Sequence, residues 1–255
     1  MVTYQVDGGR ATITIDEPDR RNPLSAETMA ALLARLLLAA SDEEVRVIVL
    51  TGAGEQAFSA GGDLITGFVD DPVGLHAGRG ALADLFRIMA RSGKPTVARV
   101  NGHALAGGFG LAVACDIVVC VEDAKLGVPE IGVGLWPMII SAVLLRAMPR
   151  KAVLEMMMTG RLIDPNEAQR LGAVSRVVAR DQLDDVVDEV VSSLMAKSPA
   201  TLMMGKDIFS AVADRGLDAD LDLLQAGLTT ISLTKDAAEG TASFAEKREP
   251  KWVGG

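Results

Sequence analysis

Val100-Asn101-Gly102-His103-Ala104-Leu105-Ala106-Gly107-Gly108-Phe109-Gly110-Leu111 directly follows the strand-like run Thr96 to Val100 and opens a short helix. Glycine lets a backbone come close to a ligand and aim its amide at it. An N–H in the first turn of a helix also carries the positive end of the helix dipole. A second glycine-rich element, Phe58-Ser59-Ala60-Gly61-Gly62-Asp63-Leu64, lies upstream. Two N–H groups, one from each loop, can together hold an oxyanion. Tight turns that pack strand against helix use the same glycines, and glycine content alone favours that plainer reading.

Strand and helix signals alternate on either side of these loops. Gln5-Val6 passes through Asp7-Gly8-Gly9 into Ala11-Thr12-Ile13-Thr14-Ile15, which predicts a hairpin. Ser25 is placed to cap the Ala/Leu-rich helix Met29 to Ala40, although Thr28 stands where a capping box would carry its acid. Val45 to Leu50 and Ile117 to Val121 are β-branched runs suited to buried parallel strands. A helix over Leu82 to Arg91 separates the first from Thr96 to Val100. Strands divided by helices predict an α/β fold with a largely parallel sheet. Beyond Met138 only Val174 to Val178 reads as a strand. Helices are expected from Asp164-Pro165, over Asp181 to Ala196, Pro199 to Val212, Leu217 to Ile231 and Ala237 to Glu246.

The 255 residues carry 34 acidic against 25 basic side chains, a formal net charge of −9. An acidic chain with no basic run is poorly suited to nucleic acid or anionic membranes, which require phosphate neutralisation. No window reads as a membrane span and the N-terminus does not read as a signal peptide, so a cytoplasmic protein is the expectation. Two cysteines, Cys115 and Cys120, read as small core residues in a reducing compartment. With His76 and His103 as the whole histidine complement, no metal site is expected.

Gly52-Ala53-Gly54 with Ala57 matches a dinucleotide fingerprint, the one feature that would make this a nicotinamide oxidoreductase. It should open a helix, but the residues after it have no helical pattern, and no strand ending in an acid follows about 20 residues on. Neither a Gly-x-Ser-x-Gly elbow nor a His-Glu-x-x-His or Cys-x-x-Cys pair is present.

Ala57 to Leu64, Asn101 to Gly108, Cys115-Asp116-Ile117 and Leu126 to Gly134 follow one another in the order and spacing of the crotonase superfamily, the enoyl-CoA hydratase/isomerase family. The chain resembles that family almost throughout, including Met157-Met158-Thr159-Gly160, Ala168 to Val174 and the ending Phe244-Ala245-Glu246-Lys247-Arg248. The resemblance implies a spiral of ββα units over residues 1–195 and a helical C-terminal oligomerisation subdomain over 196–255. It further implies a homotrimer or dimer of trimers, and an acyl-CoA substrate with no separate cofactor. By position, Gly62 and Gly107 would supply the two N–H groups for a thioester oxygen. Arg20 and Arg21 would stand near the CoA phosphates, with Lys247 reaching the CoA of a neighbouring subunit. Ala60, Gly61, Gly62, Asp63, Leu64 and Ile65 would line the CoA groove beside Gly107 and Pro129. Phe68, Leu75, Leu85, Trp136 and Met138 are expected around the acyl group.

Hydratases of the family use two glutamates to hold a water. The second matches Glu130, whose Val, Ile and Gly neighbours would raise its pKa toward an acid/base range. The first would stand at Gly110, which has no side chain. One retained acid resembles the isomerase branch, in which a single glutamate moves a proton from C2 to C4. Hydration through a substitute group and acyl-CoA binding without catalysis are the alternatives. Asp70 and Asp71 read as a solvated loop, and His103 as a packed or capping side chain.

Overall fold

The computed structural model describes residues 1–62, 72–197, 199–213, 221, 225, 226, 229 and 232–251. The hairpin forms as its alternation predicts. β1 (Val2–Asp7) and β2 (Arg10–Ile15) pair antiparallel, with Asp7 opposite Arg10. Gly8 and Gly9 between them hold φ of 53° and 88°, the left-handed pair that a two-residue hairpin turn requires. Ala11, Ile13 and Ile15 point inward from β2 and are fully buried.

After the short β3 (Pro23–Leu24), the Oγ of Ser25 accepts the Thr28 N–H at 3.1 Å and starts α1 (Ala26–Ser41). Leu32, Leu36 and Ala39, spaced by helical turns, form its buried stripe.

The middle of the chain then repeats one unit three times. β4 (Val47–Gly52), β5 (Ala57–Ser59), β6 (Gly61–Gly62) and α2 (Pro72–Arg91) make the first. β7 (Thr96–Val100), β8 (His103–Leu105) and α3 (Gly107–Val113) make the second. β9 (Ile117–Val121), β10 (Leu126–Gly127), a 3-10 turn (Pro129–Val133) and α4 (Met138–Ala147) make the third. The long strands β4, β7 and β9 lie side by side in one parallel array, and the short strands β5, β8 and β10 in a second. This is the spiral of ββα units. Every residue of β4 is buried, which is why that segment reads as an unbroken apolar run rather than an alternating one.

α5 (Arg150–Thr159), β11 (Leu162–Ile163) and α6 (Pro165–Arg170) continue the chain. α6 begins at Pro165 as expected, and Asp164 caps it, its Oδ1 accepting the Glu167 N–H at 2.7 Å. β12 (Arg176–Val178) closes the larger sheet, whose full order is β1-β2-β4-β7-β9-β12. β11 pairs with β10 at the edge of the smaller sheet, and β3 pairs with β6.

Helices finish the molecule: α7 (Leu183–Met195), α8 (Pro199–Ala213) and α9 (Lys235–Glu246). α8 rests on α2, and α9 rests on the Pro129–Val133 turn of the same chain. The helix expected over Leu217 to Ile231 falls almost wholly outside the described residues. Among the described residues no helix is long and apolar enough to cross a membrane. Cys115 and Cys120 are free and buried, and burial pushes both thiols far above their ordinary range.

Candidate active site

The two glycine-rich loops touch, and the contact explains their composition. A Cβ built on Gly61, where φ is +87°, would lie 2.5 Å from the Cβ of Ala106, 2.8 Å from the Leu105 carbonyl and 3.2 Å from the Gly107 nitrogen. One on Gly108 would lie 2.5 Å from the carbonyl oxygen of Ser59. Only glycine allows the backbones so close. Ala106, the residue before α3, holds φ 51° and ψ −128°, a costly conformation for a side chain with a Cβ. Its N–H is spent on the Gly127 carbonyl at 2.8 Å. Gly107 follows as the first residue of α3, so its N–H has no acceptor within the helix.

Two buried asparagines fix the approach to these loops. Asn22, fully buried at φ 55°, donates through Nδ2 to the carbonyls of Ala57 (2.7 Å) and Ala53 (3.0 Å) and accepts the Glu17 N–H at 2.9 Å. Asn101 donates to the Gly54 carbonyl at 2.7 Å and accepts the Gly52 N–H at 3.3 Å. Asn22→Leu should therefore remove three hydrogen bonds to the backbone, leaving the Ala57 carbonyl only its 3.3 Å bond from Asn101, and destabilise the fold by about 3 kcal/mol, read as a lower urea midpoint. An unchanged midpoint would show that these bonds do not fix the loop. This network also disposes of the dinucleotide reading. A Cβ on Gly52 would lie 2.6 Å from Asn22 Nδ2 and would strike the Phe58 carbonyl, and the chain proceeds into β5 rather than into a helix.

Glu130 comes from the 3-10 turn after β10. Pro129 presets the first position, and Gly134, left-handed at φ 73°, closes the turn with its N–H on the Ile131 carbonyl at 3.1 Å. The Oε2 of Glu130 is withdrawn from solvent and has no hydrogen-bond partner among the described residues. Burial pushes the carboxyl up to about 7, against a smaller downward pull from its own backbone N–H.

Glu130, Gly62 and Gly107 line one cavity of about 480 Å³, together with Arg21, Ala60, Ala106, Pro129 and Trp136. Its remaining wall is apolar: Leu24, Met29, Leu82, Val133, Leu135, Met138, Ile139, Ile140 and Phe244. Among the described residues that line it, Glu130 is the sole carboxylate. The cavity can thus hold an apolar group against one proton-accepting acid and a helix-start N–H.

The other expected residues fall as follows. Arg21 reaches the cavity because its carbonyl accepts the Ala60 N–H at 2.9 Å, tying it to the glycine loop. Arg20 pairs with Glu17 at 3.2 Å and is not among the residues lining the cavity. Lys247 ends α9 in a left-handed conformation, φ 54°, also off the cavity lining. Gly61 stands behind the lining, against Ala106. Leu85 is core, fully buried behind the wall, and Leu82 one turn earlier takes the lining position. Trp136 serves both, half-buried against the core and facing the cavity. His103 is exposed, its Nδ1 accepting the Lys125 N–H at 3.0 Å, a capping role. Asp63, Leu64, Ile65, Phe68, Asp70, Asp71 and the side chain of Leu75 lie outside the described residues.

Leu24, Met29, Ile139, Ile140 and Phe244 were not singled out from the sequence. They are ordinary apolar residues of helical or strand patterns, and nothing local separates a wall residue from a core residue. Phe244 had a signal, since it stands in the same C-terminal motif as Lys247.

A model of the enoyl-CoA hydratase/isomerase family matches residues 6–255. A Thermus thermophilus protein named as an enoyl-CoA hydratase is 37% identical over 254 residues, covering 97% of this chain and 99% of the relative. A carnitinyl-CoA dehydratase of Salmonella enteritidis is 36% identical over 247 residues, covering 95% and 94%. The crystal structure of an enoyl-CoA hydratase from Mycobacterium avium subsp. paratuberculosis superposes with a TM-score of 0.90 at 26% identity, covering 99% of this chain and 98% of that one. With the family model spanning nearly the whole chain and a superposition that follows the ββα spiral to its C-terminal helices, this protein belongs to the enoyl-CoA hydratase/isomerase family and is an enzyme of it.

Proposed function

We propose that this enzyme acts on an acyl-CoA thioester and moves a double bond between the 3- and 2-positions in preference to adding water. The thioester oxygen sits between the N–H groups of Gly62 and Gly107. Glu130 takes the C2 proton, negative charge gathers on the oxygen, and the same carboxyl returns the proton at C4. Oriented amide donors in a water-poor site stabilise such an oxyanion by a few kcal/mol each. A carboxyl pushed up to about 7 suits both halves of the shuttle, because it gives and takes a proton near neutrality.

The observation that carries this reading is the Glu130 carboxylate, solitary and unpartnered in the cavity among the described residues, with Ile140 packed against Gly110. A Cβ at position 110 would lie 2.5 Å from Ile140 Cγ2, so a second carboxylate at this position would have to displace Ile140. Arg21, at the cavity and tied to Ala60, is the best placed of the three proposed cations for the CoA phosphates. A trimer or dimer of trimers belongs to the same proposal.

Hydration is the second reading, favoured by the names of the relatives, a hydratase and a dehydratase. A panel of 2-enoyl- and 3-enoyl-CoAs of matched chain length separates the two, with water addition and double-bond migration followed together. The expected result is faster conversion of 3-enoyl- to 2-enoyl-CoA than hydration of the 2-enoyl form. Efficient hydration with negligible migration would overturn the isomerase assignment, and tight binding without either reaction would overturn catalysis itself.

A further inference from the structure

α9 approaches the Glu130 turn more closely than side chains normally permit. A Cβ on Gly240 would overlap the carbonyl oxygen of Val133 and lie 2.9 Å from the Gly134 nitrogen. Gly240 is a helix-interior residue with no left-handed angle to justify it, and glycine there costs helix stability relative to alanine. The close contact is the compensating gain. Ala237, fully buried, lies one turn before Gly240, and Phe244, which lines the cavity, lies one turn after it on the same face. The helix therefore meets the turn through small residues and hangs an aromatic ring over the cavity that Glu130 faces.

We propose that Gly240 is a positioning residue for Glu130: by letting α9 seat backbone-to-backbone on the Pro129–Val133 turn, it keeps water from the carboxyl and so sets the acid/base range of the reaction. The inference rests on the reading of Glu130 as the proton carrier. Burial is the dominant cause of the raised Glu130 pKa, and no charged neighbour among the described residues contributes to the shift. Among the described elements, α9 and α5 pack most extensively on this turn. On α9, Glu239 is held by Arg248 at 2.5 Å, and Glu246 by the same guanidinium at 2.5 Å. On α5, Glu155 is held by Arg161 at 2.9 Å, while Arg150 and Lys151 begin the helix. Across the cavity the described charged group is Arg21. Exclusion of water is thus the lever, and α9 is the element that Gly240 seats.

Gly240→Ala improves the helix but not its seat, so its effect is separable from loss of the helix itself. The Glu130 carboxyl can be followed by carbon NMR of glutamate-labelled protein, its signal assigned by its absence from Glu130→Gln. In Gly240→Ala the Glu130 titration should move down by about one unit toward the ordinary carboxylate range. The acidic limb of the pH–rate profile for double-bond migration should move with it, while KM changes less than kcat. Thr234→Ala removes the Oγ1 cap on the Ala237 N–H, a 3.1 Å bond, and loosens the same helix from outside the contact. It should shift Glu130 in the same direction by less, and it serves as the test if the alanine at 240 does not fold. A Glu130 titration unmoved in a folded variant whose α9 amides exchange faster would overturn the inference. A titration that moves while the rate profile stays fixed would leave the hold of Gly240 on Glu130 standing but sink Glu130 as the proton carrier, and with it the claim on the acid/base range of the reaction.

Discussion

Glu130→Gln should lower turnover by about 10² to 10⁴ while acyl-CoA binding stays within a few fold, because it keeps the shape of the side chain and removes its titratable base. Exchange of the C2 proton of a saturated acyl-CoA with deuterated solvent should be lost with it. The wild-type rate should rise with pH through about 7, where Glu130 becomes ionised and able to accept a proton. Stability should run the opposite way. The folded state holds this proton up to about 7, whereas the unfolded chain releases it near the ordinary 4.5. Between those values the folded state binds more protons, so stability falls as pH rises, by an amount on the order of 3 kcal/mol across the window. Glu130→Gln removes that dependence and should make the variant the more stable protein above about pH 7. Full activity in Glu130→Gln would end the catalytic assignment. A wild type and variant with identical stability–pH curves would show that the carboxyl is not held dry.

Gly110→Glu, the change that would restore the second glutamate of a hydratase, should damage the fold rather than create hydration. All seven residues of α3 are buried. A Cβ at 110 would meet Ile140 at 2.5 Å (Cγ2) and 2.8 Å (Cβ), with Phe86 Cζ at 3.3 Å. Ile140 Cβ belongs to the root of a helical side chain and cannot swing aside. Gly110→Ala alone should cost about 1–3 kcal/mol from overpacking, less what alanine returns in helix propensity. Gly110→Glu adds the burial of a carboxylate with no described partner, worth several kcal/mol more unless it stays protonated. Thermal melting and urea denaturation of both variants, with hydration assayed only on folded protein, test this. A stable Gly110→Glu enzyme with raised hydration would show that α3 and α4 can part, and would return hydration to the foreground.

Local physical chemistry made much of this molecule legible from its residues alone. The Gly8-Gly9 turn, the Ser25 and Asp164 caps, and the buried runs of β4, β7 and β9 each depend on a few neighbouring residues, so their patterns survive in one dimension. The two glycine loops and Glu130 were legible through their order and spacing, which carry the family. Other features required distant segments to meet. Nothing near Leu82 or Leu85 tells which faces a cavity and which the core, since one helical turn separates two apolar residues in the same stripe. Arg20 and Arg21 are adjacent, yet a left-handed residue after the 3-10 turn sends one to Glu17 and ties the other to Ala60. The spare room at Gly110 existed only on paper, because Ile140, thirty positions away, already fills it. Gly240 looks like a weak point in a helix until Val133 is placed against it. The resemblance of the chain's motifs to a known family pointed to the family and to the candidate acid. Only the tertiary structure decided which groups share the cavity and how dry the acid is, because burial and close approach are properties of surfaces brought together by folding, not of the residues themselves.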